Sequence, residues 1–192
     1  MIATFAAACG GGGGGESPCS PTDPSCGGGG ITTPPQAVLS VPYVSQQTQV
    51  WCWAAVIEMI LRYYSVPATQ CQIVSGYVLR QCCAGDPSCF VTASVTTIQA
   101  AMYQLGGVQS QWISGPLTFD QVAQEIGAGR PIMIEYRGSF AGHVVLIVGY
   151  SRANNLLKIY DPYYGVFDVP YGATFTYGGQ MIWASTLVRI SR

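Results

Sequence analysis

The chain has 192 residues, with eight Lys+Arg, nine Asp+Glu and one His, a net charge of −1, and 9% charged residues. It offers neither a basic run to neutralise nucleic-acid phosphates nor an acidic tail, so a nucleic-acid partner is not expected. No apolar stretch approaches the roughly 20 residues a helix needs to cross a bilayer, and low charge with 24 Gly, 12 Tyr and 8 Cys fits an extracytoplasmic protein.

Residues 1–8 are apolar and small, ending Ala6-Ala7-Ala8-Cys9, with a glycine run from Gly10 to Gly15 directly behind. By composition this is an apolar tail ahead of a flexible linker. The Ala-Ala-Ala-Cys-Gly text also resembles the lipobox of bacterial lipoproteins, whose cysteine is diacylated and becomes the new N-terminus. That resemblance implies a signal remnant over residues 1–9 with lipidation at Cys9, the only membrane attachment expected. Residues 10–36 are rich in Gly, Ser, Pro and Thr and cannot bury a core, which predicts a flexible linker. Cys19 and Cys26 are candidates for a small disulfide loop within it. The folded domain is expected over residues 37–192, about 155 residues around a single core.

Within the domain, residues 38–44 read as a short extended lead-in. Residues 51–64 then place Cys52, Ala55, Val56, Met59, Ile60 and Tyr63 at the spacing of a buried helix. Glu58 and Arg62 sit four apart on its other face, acid before base. Further helices are predicted over residues 69–79 and 95–105. Another starts at Thr118, where Thr118 and Gln121 form a capping-box pattern, and ends near residues 127–129. The second half changes period. Residues 131–137, 143–151, 156–161, 166–169 and 181–190 are β-branched and aromatic runs punctuated by Gly, Asn or Pro. Helices first and strands afterwards make the class α+β.

Candidate chemistry gathers at four residues. Cys52 begins the first helix, where backbone N–H groups favour an anion and so a nucleophilic thiolate; the alternative is a buried apolar cysteine. His143 is the sole histidine and opens the most apolar strand. Asp161 ends the next strand, and the turn at residues 152–155 makes the two an antiparallel hairpin. His143 and Asp161 are then neighbours within a residue or two of register, so the carboxylate can orient the imidazole; alternatively, Asp161 is an ordinary turn cap before Pro162. Gln46, six residues before Cys52, is the candidate side-chain donor to an oxyanion beside the Cys52 N–H, with Gln47 and Gln49 as competitors.

Taken together, Gln46-x5-Cys52-Trp53-Ala54, Gly142-His143-Val144-Val145 and Tyr160-Asp161-Pro162 resemble the papain-like cysteine peptidases. The text Trp51-Cys52-Trp53-Ala54-Ala55 and the Asp third member are closest to two bacterial groups. These are the avirulence-type papain-like effector proteases and the peptidases that process double-glycine leader peptides. The resemblance spans residues 38–190. It implies a papain-like fold, with a helical half bearing the cysteine and an antiparallel sheet bearing His and Asp. It also implies a monomeric hydrolase acting on a protein or peptide substrate. Two alternatives remain at this point: a Cys-dependent acyltransferase of transglutaminase type, and a non-catalytic surface binding module.

With Cys9 lipidated, Cys52 free and Cys19–Cys26 paired, Cys71, Cys82, Cys83 and Cys89 are left. Adjacent Cα atoms lie about 3.8 Å apart, below the roughly 4.4 Å usual for a disulfide. Two patterns survive: Cys71–Cys82 with Cys83–Cys89, or Cys71–Cys83 with Cys82–Cys89. The adjacent pair suits a tetrahedral zinc site poorly, so no metal and no cofactor is expected. Disulfides of this kind imply a secreted or lipid-anchored protein at the cell envelope.

Overall fold

A computed structural model describes residues 33–139 and 141–192. Cys9, Cys19, Cys26 and the predicted signal remnant lie outside them, as does the linker up to residue 32. The compact unit is Thr33–Arg192. It takes in residues 33–36, which composition assigns to the linker. Pro34 and Pro35 use their carbonyls to accept from Tyr150 Oη and Arg152 N, at 2.7 and 2.9 Å, and the strand β1 (Gln36–Val38) follows at once.

Four helices follow: α1 (Cys52–Tyr63), α2 (Gln70–Val78), α3 (Val95–Gly106) and α4 (Phe119–Gly127). Each starts within a residue or two of its predicted position. Thr118 and Gln121 form the expected capping box on α4, and Thr69 with Gln72 forms another on α2. The remaining strands are β2 (Gln109–Ser114), β3 (Ile132–Arg137), β4 (Gly142–Ser151), β5 (Leu156–Asp161), β6 (Gly165–Pro170), β7 (Thr176–Tyr177) and β8 (Met181–Ser191). They form one antiparallel sheet in the order β2-β8-β3-β4-β5-β6, with β7 on β8. The strand β1 takes up the edge of β4 where β3 stops, pairing Gln36 with Ser151 and Val38 with Gly149. A Cβ at Gly149 would stand 2.8 Å from the Ala37 carbonyl oxygen, so this close strap requires glycine.

The run from Val144 to Tyr150 is apolar throughout because β4 is covered on both faces. Val144, Leu146 and Val148 join Met133 and Leu187 beneath α1, α2 and α3. Val145, Ile147 and Tyr150 join Ile132, Ile134 and Ile159 against α4. The helix α1 is itself central, with residues 53–61 all buried. That changes the expected setting of Glu58 and Arg62. Their ion pair forms at 2.6 Å, but Glu58 is buried rather than on a solvent face, since neighbouring elements cover α1 from Trp53 to Leu61 and leave only Arg62 exposed.

β4 starts at His143's end of the sheet and finishes where β1 joins it. β8 runs the same way, with Ile182 opposite Arg137 and Ser191 opposite Gln109. The chain therefore enters and leaves this unit at the end of the sheet remote from His143.

Candidate active site

Cys52 is the first residue of α1 and the one free cysteine among the described residues. The cap position before it is Trp51, whose side chain makes no capping hydrogen bond. The first-turn N–H groups are thus left uncapped by a side chain at the helix end that carries the sulfur. Trp51 and Trp53 hold this end in place, donating Nε1–H to the Cys89 and Val91 carbonyls at 2.8 and 3.0 Å. The loop bearing those carbonyls is fixed by the disulfides Cys71–Cys83 and Cys82–Cys89, the second of the two predicted patterns.

His143 faces Tyr136 across β3 and β4. The β4–β5 register pairs Leu146 with Tyr160. Continued by one residue, it sets Asp161 opposite Val145 and diagonal to His143, on one face of the sheet. His143 Nε2 and Asp161 Oδ1 are 2.8 Å apart, which leaves Nδ1 as the ring nitrogen for Cys52. Burial alone would lower the imidazole pKa. The hydrogen bond that His143 donates to Asp161, the interaction with Cys52 and the charge of the carboxylate outweigh it, and the pKa is pushed up to about 9.

Asp161 is fully buried. Burial opposes its charge, yet its pKa is lowered, because His143, the Tyr163 N–H and the Tyr177 hydroxyl all stabilise the carboxylate. Oδ1 accepts from the Tyr163 and Tyr164 N–H groups at 2.7 and 3.2 Å, and Oδ2 from Tyr177 Oη at 2.8 Å. The turn-cap role and the contact with histidine thus coexist in one side chain. The Tyr177 ring also lies over the imidazole, centroids 4.9 Å apart.

Gln46 sits in the loop before α1. Its N–H donates to the Pro162 carbonyl at 2.8 Å, tying the loop to the end of β5, and its side-chain Nε2 donates to Thr48 O at 2.7 Å. One Nε2–H is then left over, while Oε1 is buried with no described partner. Gln46 and Gln47 line a shallow depression with Pro162 and Tyr163, whereas Gln49 lines both that depression and the cleft containing Cys52 and His143. Gln70, fully buried at the start of α2, clamps this loop: Nε2 donates to Ser45 O at 2.9 Å and Oε1 accepts from Gln47 N at 2.8 Å. Sequence reasoning missed Gln70 and Tyr177. A capping-box helix start flags the position beside Gln70, but nothing local flags Tyr177.

Cys52 and His143 line one cleft of about 550 Å³, with Gln49, Trp53, Thr92 and Glu135 among its walls. A helix presenting a free cysteine across a cleft from an antiparallel sheet that carries the sole histidine is the layout of papain-like cysteine peptidases. The match to solved structures agrees on the fold. A double-glycine motif protease from an AMS/PCAT transporter, solved with its leader peptide, is 17% identical with a TM-score of 0.51, covering 79% of this chain and 92% of that one. A C39-like peptidase from Bacillus anthracis is 13% identical with a TM-score of 0.53, covering 82% and 98%. The peptidase domain of Streptococcus ComA, a bifunctional ABC transporter, is 14% identical with a TM-score of 0.51, covering 76% and 96%. No curated protein matches in sequence. The Peptidase_C39 like family model matches residues 38–175, and the chain belongs to that family of cysteine peptidases.

Proposed function

We propose that this domain is an extracytoplasmic peptidase, lipid-anchored through Cys9, that hydrolyses peptide bonds through Cys52, His143 and Asp161 with Gln46 as oxyanion donor. The observation that carries the reading is the 2.8 Å contact between the sole histidine and a buried carboxylate, in a cleft that also contains the free cysteine. The two disulfides support an oxidising compartment.

In this mechanism the Cys52 sulfur, as thiolate, attacks the scissile carbonyl carbon. The oxyanion accepts from the Cys52 N–H and from the spare Nε2–H of Gln46. The His143 imidazolium then gives its proton to the leaving amine, and a thioester remains on Cys52. Neutral His143 takes a proton from water as that water attacks the thioester, releasing the acid and regenerating the sulfur. Asp161 holds the ring and stabilises its charged form throughout.

Replacing Cys52 with Ala should lower peptide cleavage by at least about 10³-fold with the melting temperature retained. Peptide cleavage by a folded Cys52→Ala protein would sink the mechanism. For the anchor, fatty-acid labelling of the full chain should disappear in Cys9→Ser; unchanged labelling would remove Cys9 from the proposal.

A further inference from the structure

One charged pair in the cleft has no part in the hydrolytic steps. Glu135 and Arg137 lie two residues apart on β3 and both line the cleft with Cys52 and His143. Glu135 is paired with Val144, the residue after His143, on one side and with Ser185 on the other. Its side chain is 14% exposed and that of Arg137 is 65% exposed.

Both oxygens of Glu135 are already engaged. Arg137 Nη2 lies 2.8 Å from Oε1 and 3.0 Å from Oε2, and the Ser185 hydroxyl donates to Oε2. The carboxylate is therefore a strut that holds the guanidinium, and it has little left to offer a substrate cation. Arg137 is in the opposite position. Its Nε and Nη1 have no hydrogen-bond partner among the described residues, and it is the only Lys or Arg lining this cleft. The remaining lining side chains are neutral apart from Glu135 and the imidazole. A guanidinium pinned through one nitrogen, with its other donors unused, suits a carboxylate.

We infer that Arg137 is a specificity-determining residue, selecting substrates that bring a carboxylate close to the scissile bond. This inference rests on the peptidase reading above. The carboxylate comes either from an Asp or Glu side chain or from the free C-terminus of a short peptide.

Internally quenched peptides varied at each position flanking the bond through Asp, Glu, Gln and Lys, with free and amidated C-termini, test this. Wild type should favour an acid at one position by about 5-fold in kcat/KM, the upper worth of an exposed ion pair. The R137Q variant should lose that preference while cleaving Gln peptides within about twofold of wild type. A preference surviving amidation assigns an acidic side chain, and one abolished by amidation assigns the chain end. The wild-type preference should also shrink at high salt, because Arg137 is exposed. A Lys preference, an acid preference intact in R137Q, or an acid preference indifferent to salt would each overturn the inference. Cys52-dependent cleavage with no charge preference overturns it alone. If wild type cleaves no peptide at all, the peptidase reading falls with it.

Discussion

At His143 burial and partnership pull in opposite directions, and partnership wins. The ring keeps its proton up to about pH 9, against an ordinary value of 6.5. In the proposed mechanism the protonated ring supplies the leaving amine, so the alkaline arm of the pH–rate profile should fall near that value. Asp161→Asn removes the carboxylate's charge and should move the arm acidward by about one unit or more; an unmoved arm would argue against an orienting role for Asp161. The same shift has a sign for stability. A pKa raised on folding stabilises the fold fully below the ordinary value of 6.5, and that contribution is lost as pH climbs through about 9. The lowered pKa of Asp161 acts at the other end, contributing above the ordinary carboxylate range and fading as pH drops below it. Thermal melts across pH should show both flanks, and Asp161→Asn should flatten them.

Tyr177 offers a finer test. Tyr177→Phe leaves Asp161 Oδ2 buried without its donor and should cost about 1–3 kcal/mol in urea unfolding, together with reduced turnover. Tyr136→Phe removes a buried hydroxyl whose partner is Thr174 O. It should lower stability by a similar amount and leave the pH–rate profile in place. Cys52, His143 and Asp161 are legible in the sequence because each sits at a recognisable element boundary. Tyr177 and Gln70 are not, because their partners lie 16 and 23–25 residues away and only the folded chain brings them together.

At the level of elements, the helices are legible to within a residue or two because caps and apolar periodicity agree. The β4–β5 hairpin is legible for a similar reason: its turn is short and its strands strongly apolar. The strand β2 is not. Its polar run is exposed at four of six positions, as befits a sheet edge, and its register with β8 is interrupted between Gln109 and Gln111. The disulfide loop is the element with most leverage on the cleft. Through Trp51 and Trp53 it holds the start of α1, and its continuation supplies Thr92 and Ala93 to the cleft wall. Cys82→Ser combined with Cys89→Ser should lower unfolding free energy by about 2–4 kcal/mol. It should also raise KM for peptides. A stability loss with KM unchanged would separate the staple from the cleft.

On the scale of the molecule, β8 inserts between β2 and β3 although it is last in the chain. No local pattern announces a pairing across 45 or more residues, so strand order lies beyond sequence reading while strand existence does not. Under the proposed mechanism the fold combines two redox demands: Cys52 must stay reduced and the two staples oxidised. A reductant titration should therefore be biphasic, with activity rising as an oxidised Cys52 is recovered and then falling as the buried Cys82–Cys89 bond opens. A rise with no later loss, even on warming, would mean that the staples do not support the site.

The path of the chain through the sheet has one more consequence. β4 carries the backbone from His143 to the strap at Ser151, a span of roughly 25 Å. Both Thr33 and Arg192 lie toward that far end. Cys52 and His143 line their cleft at the opposite end of the sheet, so both Thr33 and Arg192 are attachment points about one strand's length from it. The unit is therefore suited to being immobilised on a bead or spliced between foreign domains by either end, with its kinetics on small peptides unchanged.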